Sequence, residues 1–465
     1  MHKLAPRIHP AVRSLLTRGD LLGSFGTPAN VVFPQVFKEN VESFRETLAR
    51  YPVASRLFYA HKVNQSTSFV RAAAEAGIGI DVASVGELHH AVAAGFDSER
   101  IEATGPKGAA FLWELTRTGA TVNVDNHWEL TEVARVAHQA VPVLLRLCPS
   151  RGRTSRFGTA ESGMPALLDT ILDHREVLDL RGFSFHLDTN DLKEKVAAID
   201  ACLRLFESAY ARGLSPRVLD IGGGFRQVFA ADPDGFDRYV QALKAGLAGT
   251  AESLSWEGNT FGYRDLRGTP TFHRYANTAT GTDQLREILD SPLPGQGGRP
   301  VAQVLLENMI ELWLEPGKAL ADQAGVTVTG VEFTKTVGNE ETLVSLDVSR
   351  DRICPADQEV MLDPVVIYRA DPRTYDDQPV GVYFGGNLCL ERDLVYEHKT
   401  WLERLPKPGD LVVFVNTAAY QMDLSAAEGL MHPRTPKVAA VESDGEFRIQ
   451  AESGRDECST PTSPN

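Results

Sequence analysis

From Arg56 to Glu315, short apolar runs alternate with stretches of helical periodicity, and this alternation constrains the fold more than any other feature of the chain. Such alternation is the pattern of βαβ units, in which helices cover a parallel sheet. Eight strands are predicted, near Arg56–Lys62, Gly79–Ser84, Arg100–Gly105, Thr121–Asp125, Val141–Cys148, Arg181–Leu187, Arg217–Gly222 and Leu312–Glu315. Eight parallel strands can close into a (β/α)8 TIM-like barrel. Between the sixth and seventh, Leu192, Val196, Ile199, Leu203, Phe206 and Tyr210 follow helical spacing as far as Gly213, so one face of that helix packs on the sheet. Ser84-Val85-Gly86-Glu87 reads as a capping box that starts the helix after the second strand.

The barrel is expected to cover residues 35–320. Before it, Thr27–Pro34 reads as an extended segment, followed by a helix from Gln35 to Arg50. After Ala319 the period changes to strand alternation, as in Val326–Val331 and Leu411–Val415. This predicts a C-terminal β-rich domain over 321–452, a sandwich or barrel, with the N-terminal segment 1–34 packing into it. The Ser/Thr/Pro-rich residues 453–465 are expected to form a disordered tail. Within the barrel, Leu254–Pro300 carries Trp256, Phe261, Tyr263, Phe272 and Tyr275 without steady periodicity. A segment this long is expected to be an ordered insertion that covers the active site.

Composition narrows the partners. Net charge is −15, from 47 basic and 62 acidic side chains, a field that repels phosphate backbones and anionic lipid. No nucleic-acid or membrane partner is therefore expected. Met1–Asp20 lacks the apolar core of a signal peptide, and no run is long enough to span a bilayer, which predicts a cytoplasmic protein. Cys148, Cys202, Cys354, Cys389 and Cys458 are scattered without a CxxC pair or histidines at ligand spacing, so neither a disulfide framework nor a metal site is expected.

In such a barrel the chemistry sits at the C-terminal ends of the strands. The first strand ends at Lys62, where partial desolvation would lower an amine's pKa and make it a nucleophile. The plainer reading is a solvated surface lysine. Val218–Phe225 ends in Gly222, Gly223 and Gly224, where backbone amides can approach an anion without side-chain obstruction. A turn that only needs positive φ is the alternative, and G-x-G-x-x-G spacing is absent. His186 follows the sixth strand and Glu315 the eighth; in isolation these are an ordinary core histidine and an ordinary strand-end acid.

Taken together and in order, these segments resemble the barrel-fold (fold type III) pyridoxal-phosphate-dependent decarboxylases, which include diaminopimelate, ornithine and arginine decarboxylases, with alanine racemase more distant. Tyr59–Asn64 resembles the family's Y-A-x-K-A-N, Asp81–Glu87 its D-x-A-S-x-G-E, and Ser155-Arg156-Phe157-Gly158 its S-K-F-G. Phe185–Leu187, Gly222–Phe225 and Glu315–Gly317 resemble its ring-stacking, phosphate and ring-nitrogen segments. Gly385–Asp393 resembles G-P-x-C-[DE]-x-x-D, and Asn416–Tyr420 resembles N-x-G-A-Y. The resemblance runs from about Thr27 to Tyr420.

It implies pyridoxal 5'-phosphate as cofactor and decarboxylation of an amino acid or amino-acid-derived substrate. Lys62 would form the Schiff base and Glu315 would pair with the ring nitrogen. Asp81, His186, Thr189, Gly222, Gly223, Gly224, Gly317, Lys318 and Tyr420 would complete the cofactor site. Cys389, contributed across a homodimer interface that shares the active sites, would protonate the carbon left by CO2. An amino-acid racemase on the same fold, or a non-catalytic cofactor-binding regulator, are the alternatives. Glu315 favours decarboxylation, because the racemase has an arginine there.

Departures from the family pattern concern the substrate. Leu390 stands where an acid grips a distal ammonium, and Glu391 comes one residue late, on the other face of an extended chain. Asp188 replaces a glycine and could substitute for that contact. Lys318 replaces an arginine and loses its fork. Arg156, Asp188 and Glu391 are the candidate substrate contacts.

Overall fold

The computed structural model describes residues 2–18, 22, 25–149, 155–263, 267, 277–338, 340–353, 361–424, 428–443 and 446–452. Strand β1 (Ala29–Val32) leads into helix α1 (Pro34–Leu48), which begins on a proline whose missing N–H costs no helical hydrogen bond. Val36, Phe37, Val41, Phe44 and Leu48 form the buried stripe of α1. The barrel strands are β2 (Ser55–Ala60), β3 (Gly79–Val82), β4 (Ile101–Ala103), β5 (Thr121–Val124), β6 (Val141–Cys148), β7 (Leu178–Ser184), β8 (Val218–Asp220) and β9 (Glu311–Leu314). Each pairs in parallel with the next. Strand β9 pairs with β2, Leu312 opposite Ser55 and Leu314 opposite Leu57, which closes the barrel.

All eight predicted strands are present, several of them shorter at the C-terminal end. Strand β7 stops at Ser184 and β9 at Leu314, so His186 and Glu315 lie on the loops that follow. Helix α2 (Val85–Ala93) starts where predicted. Ser84 Oγ accepts from Glu87 N at 3.2 Å, but the Glu87 carboxylate accepts from Ala83 N, one residue before the cap. Helix α3 (Leu192–Ala211) buries Val196, Ile199, Leu203 and Phe206.

The insertion between β8 and β9 is partly regular. After helix α4 (Pro233–Leu247), Leu254, Phe261 and Tyr263 pack with Phe236, Tyr239 and Leu243, and Trp256 meets the Tyr383 ring at 5.0 Å. Part of the stretch read as irregular is helix α5 (Gly281–Asp290), started by a Thr280/Asp283 capping box. Its Gln284 accepts from Arg226 N at 2.8 Å, so this half does brace a loop at the mouth. Phe272, Tyr275, Cys354, Cys458 and the tail 453–465 lie outside the described residues.

After the short helix α6 (Gly317–Leu320) the chain is mostly strand: β10 (Gly325–Val337), β11 (Glu341–Leu346), β12 (Val365–Ile367), β13 (Val380–Gly385), β14 (Leu394–Leu402), β15 (Leu411–Val415), β16 (Lys437–Ser443) and β17 (Glu446–Ala451). The sheet order is β14-β13-β11-β10-β1-β16-β17, with β15 between β10 and β12. Strand β1 therefore lies inside the C-terminal sheet, Ala29 opposite Val328 and Val31 opposite Val438. Among the described residues no helix is long and apolar enough to cross a membrane.

Candidate active site

Strand β2 ends in a tight turn, His61–Val63, that lifts Lys62 to the barrel mouth. The turn is clamped from several sides. Tyr59 Oη donates to Asn64 O at 2.6 Å, Tyr420 N donates to Val63 O at 2.7 Å, and Gln65 N donates to Asp423 Oδ2 at 2.8 Å. Gly317 packs directly under it, since a Cβ there would stand 2.5 Å from Val63 Cγ2. Lys62 Nζ lies 3.3 Å from Asp81 Oδ2, and Asp81 Oδ1 accepts from Thr104 Oγ1 at 2.6 Å. The predicted loss of basicity does not occur. Burial does oppose the charge, but Asp81, Glu315 and Tyr420 together outweigh it and hold the ammonium above its ordinary range.

Three loops converge opposite Lys62. Gly222 and Gly224 adopt φ of 66° and 67°. A Cβ on Gly223 would meet Glu315 O at 2.5 Å, and one on Gly224 would overlap Leu187 O. The turn reading holds for Gly222 and Gly224, which need positive φ, and close approach of neighbouring carbonyls adds a second demand for glycine at 223 and 224. Among the described residues the amides of Gly224 and Phe225 donate to no protein acceptor, so the loop presents donors to its surroundings. Replacing Gly224 by alanine is expected to destabilise the protein by about 3 kcal/mol, seen in thermal unfolding, and to weaken cofactor binding. His186 Nδ1 accepts from Gly223 N at 3.2 Å, which places the imidazole proton on Nε2. Burial, then the Lys62 and Arg146 charges, push this histidine well below its usual pKa, so its ring is neutral at pH 7.

Beneath the mouth the barrel interior is acidic. Glu102, Asp220 and Glu315 are buried with carboxylate oxygens within 4.8 Å of one another. Asn123 donates to Glu102 Oε1 at 2.8 Å and accepts from Ser184 Oγ at 2.6 Å. Burial and mutual repulsion raise all three carboxyls well above the usual range. A cation beside Glu315 would be stabilised by this arrangement.

The remaining predicted residues fall into two groups. Lys318 Nζ pairs with Asp188 Oδ2 at 3.2 Å, tying α6 to the loop after β7. Thr189 Oγ1 accepts from Asp191 N at 3.0 Å in the same loop, and Tyr420, at φ 67°, lies beside Lys62. Arg156 is exposed and stacks on Phe157, 4.3 Å from the ring centroid. Cys389 and Glu391 stand exposed on the 386–393 turn, which Asp393 organises by accepting from Leu388 N and Arg350 N. Among the described residues neither makes a hydrogen bond or ion pair with the barrel.

Sequence reading missed Glu102, Asp220, Arg146 and Lys195. Arg146 is the one charged side chain of β6, half-buried, with its guanidinium 4.9 Å from the Phe157 ring centroid. A lone charge in an apolar strand is the signal that points to it, and the same holds for Glu102 in β4.

Residues 35–257 match the model of the pyridoxal-dependent decarboxylase family's pyridoxal binding domain. The chain is 32% identical over 460 residues to the uncharacterized protein y4yA of Sinorhizobium fredii, covering 96% of each. The chain belongs to the fold type III pyridoxal-phosphate-dependent decarboxylase family. A member of that family, the diaminopimelate decarboxylase of Halalkalibacterium halodurans, is 25% identical over 93% of this chain and 91% of its own length. The crystal structure of diaminopimelate decarboxylase from M. jannaschii in co-complex with L-lysine shares the fold, with a TM-score of 0.69 at 18% identity and 99% coverage of both chains.

The family's cofactor is pyridoxal 5'-phosphate, and the residues present fit it. Lys62 offers an amine, the Gly224 and Phe225 amides offer donors to a phosphate, and the buried Glu315 offers an acid for a ring nitrogen.

Proposed function

We propose that this chain decarboxylates an amino acid or an amino-acid-derived substrate, with Lys62 carrying the cofactor and Cys389 supplied by a second copy of the chain. The observation that carries the reading is the Lys62 ammonium held 3.3 Å from Asp81 and within the field of the buried Glu315. When bound, the cofactor supplies an electron sink for the electron pair left on the α-carbon as CO2 departs. Lys62 Nζ exchanges protons with the substrate amine, and Asp81 holds it in place for that exchange. Neutral His186 offers a flat, uncharged ring, while Glu315 holds a proton against the ring nitrogen. Cys389 Sγ then gives its proton to the α-carbon and is reprotonated from solvent. Its exposure and its lack of barrel partners within one chain support a homodimer with shared sites.

The substrate's distal group carries no positive charge in this reading. Leu390, 46% exposed, offers no carboxylate, and Asp188 is already engaged by Lys318. The test is CO2 release from a panel of amino acids. Uncharged or acidic side chains are expected to turn over, and ornithine, lysine, arginine and diaminopimelate are not. In the same assay, equal mixtures of dissociated Lys62→Ala and Cys389→Ala proteins are expected to recover about a quarter of wild-type activity, because half of the dimers would carry one intact site. Exchange of the α-proton with deuterium without CO2 loss would favour the racemase. Neither reaction on any amino acid would favour the regulator.

A further inference from the structure

Lys195 belongs to no step described above, yet it is among the most deeply buried charged residues of the chain, at 1% exposed. It lies in the first turns of α3, and its Nζ donates to Leu187 O at 2.9 Å and to Gly223 O at 3.0 Å. These carbonyls belong to two different loops, one following β7 and the other β8. The ammonium also lies 5.3 Å from the centroid of the Phe225 ring, the residue whose amide, like that of Gly224, has no protein acceptor among the described residues. A methionine would fill the same volume without desolvating a charge. We infer that Lys195 is the positioning cation of the phosphate cradle, holding the two loops so that their amides face a phosphate dianion and placing positive charge behind them. The inference rests on the proposed role of Gly222–Gly224 as that cradle.

The charge at this position is conditional. Burial brings the Lys195 pKa down to about 8, opposed by Asp188 on the loop after β7 and assisted by Lys318 of α6 and Arg226 of the glycine loop. His186 also lies within its field. The cation is therefore complete below pH 7 and lost as pH rises past about 8. A bound dianion would stabilise the cation and raise its pKa, so binding takes up a proton in alkaline solution and weakens as pH rises. A lysine that only stapled the loops would show no such dependence, because a neutral amine still donates N–H to both carbonyls.

The experiment measures equilibrium binding of pyridoxal 5'-phosphate and of pyridoxal, which lacks the phosphate, to cofactor-free protein between pH 7 and pH 9. The ratio of the two affinities isolates the phosphate, which is already dianionic above about pH 6. In the wild-type protein the ratio is expected to fall about tenfold from pH 7 to pH 9, following the loss of the cation. Lys195→Arg, charged throughout, should keep a high and constant ratio, and Lys195→Met a low and constant one. If the methionine variant does not fold, the wild-type and arginine profiles decide alone. A wild-type preference for the phosphate ester that ignores pH, or one retained in full by a folded Lys195→Met protein, overturns the role of Lys195 and leaves the cradle standing. No preference for the ester at pH 7 overturns both.

Discussion

Lys62→Ala is expected to lower decarboxylation on the order of 10⁴-fold, the upper range for loss of a positioned proton-transfer group. The loss would not be one of binding alone. The Gly224 and Phe225 amides and the buried Glu315 all remain, so the variant should still take up the cofactor, while borohydride no longer fixes it to the protein. Asp81 would then be left without the ammonium it faces at 3.3 Å. A single-turnover assay with a substrate found in the CO2 panel separates the loss of chemistry from any loss of affinity.

Glu315→Gln is expected to cost about 10²–10³-fold in turnover, the range for removing one electrostatic stabiliser of developing charge. Glutamine keeps the volume, but it can neither carry the charge that holds a ring nitrogen protonated nor share protons with Asp220. The cofactor should remain on Lys62, because Asp81 still holds that amine at 3.3 Å when the Glu315 charge is gone. The check is a kinetic comparison in which kcat falls while cofactor loading, read from absorbance, is unchanged. Equal kcat in the two proteins would remove Glu315 from the chemistry.

Much of this fold is written locally. Each barrel strand is a short apolar run between helical patterns, so its place can be read without knowing its neighbours, and the catalytic candidates follow as the residues just past the strand ends. Lys62, His186 and Glu315 were placed at strand ends for that reason, while their expected roles came from the family resemblance. What was not legible depends on residues far apart in sequence. Lys62 keeps its proton because Asp81 and Glu315 face it from the strands on either side of β2, and no window around Lys62 contains both. Lys195 sits in the charged run Lys193-Glu194-Lys195, and it is covered by the return of the loops after β7 and β8 over the helix. That the N-terminal segment joins the C-terminal domain was legible; its register, with β1 paired to residues near 328 and 438, was not. Helix α5 was hidden because its capping box is set among glycines and prolines that read as irregular. The part proposed for Cys389 depends on a second copy of the chain, which no sequence window shows; within one chain the residue is exposed.

The central claim is that Lys62 is the residue that carries the cofactor. Reduction of the cofactor-loaded protein with borohydride, followed by proteolysis and mass mapping of the pyridoxyl group, tests it most directly. A single modified peptide containing Lys62 is the predicted result. A label on another lysine, Lys318 or Lys195 being nearest the glycine loop, or no label on a protein that releases CO2, would contradict it.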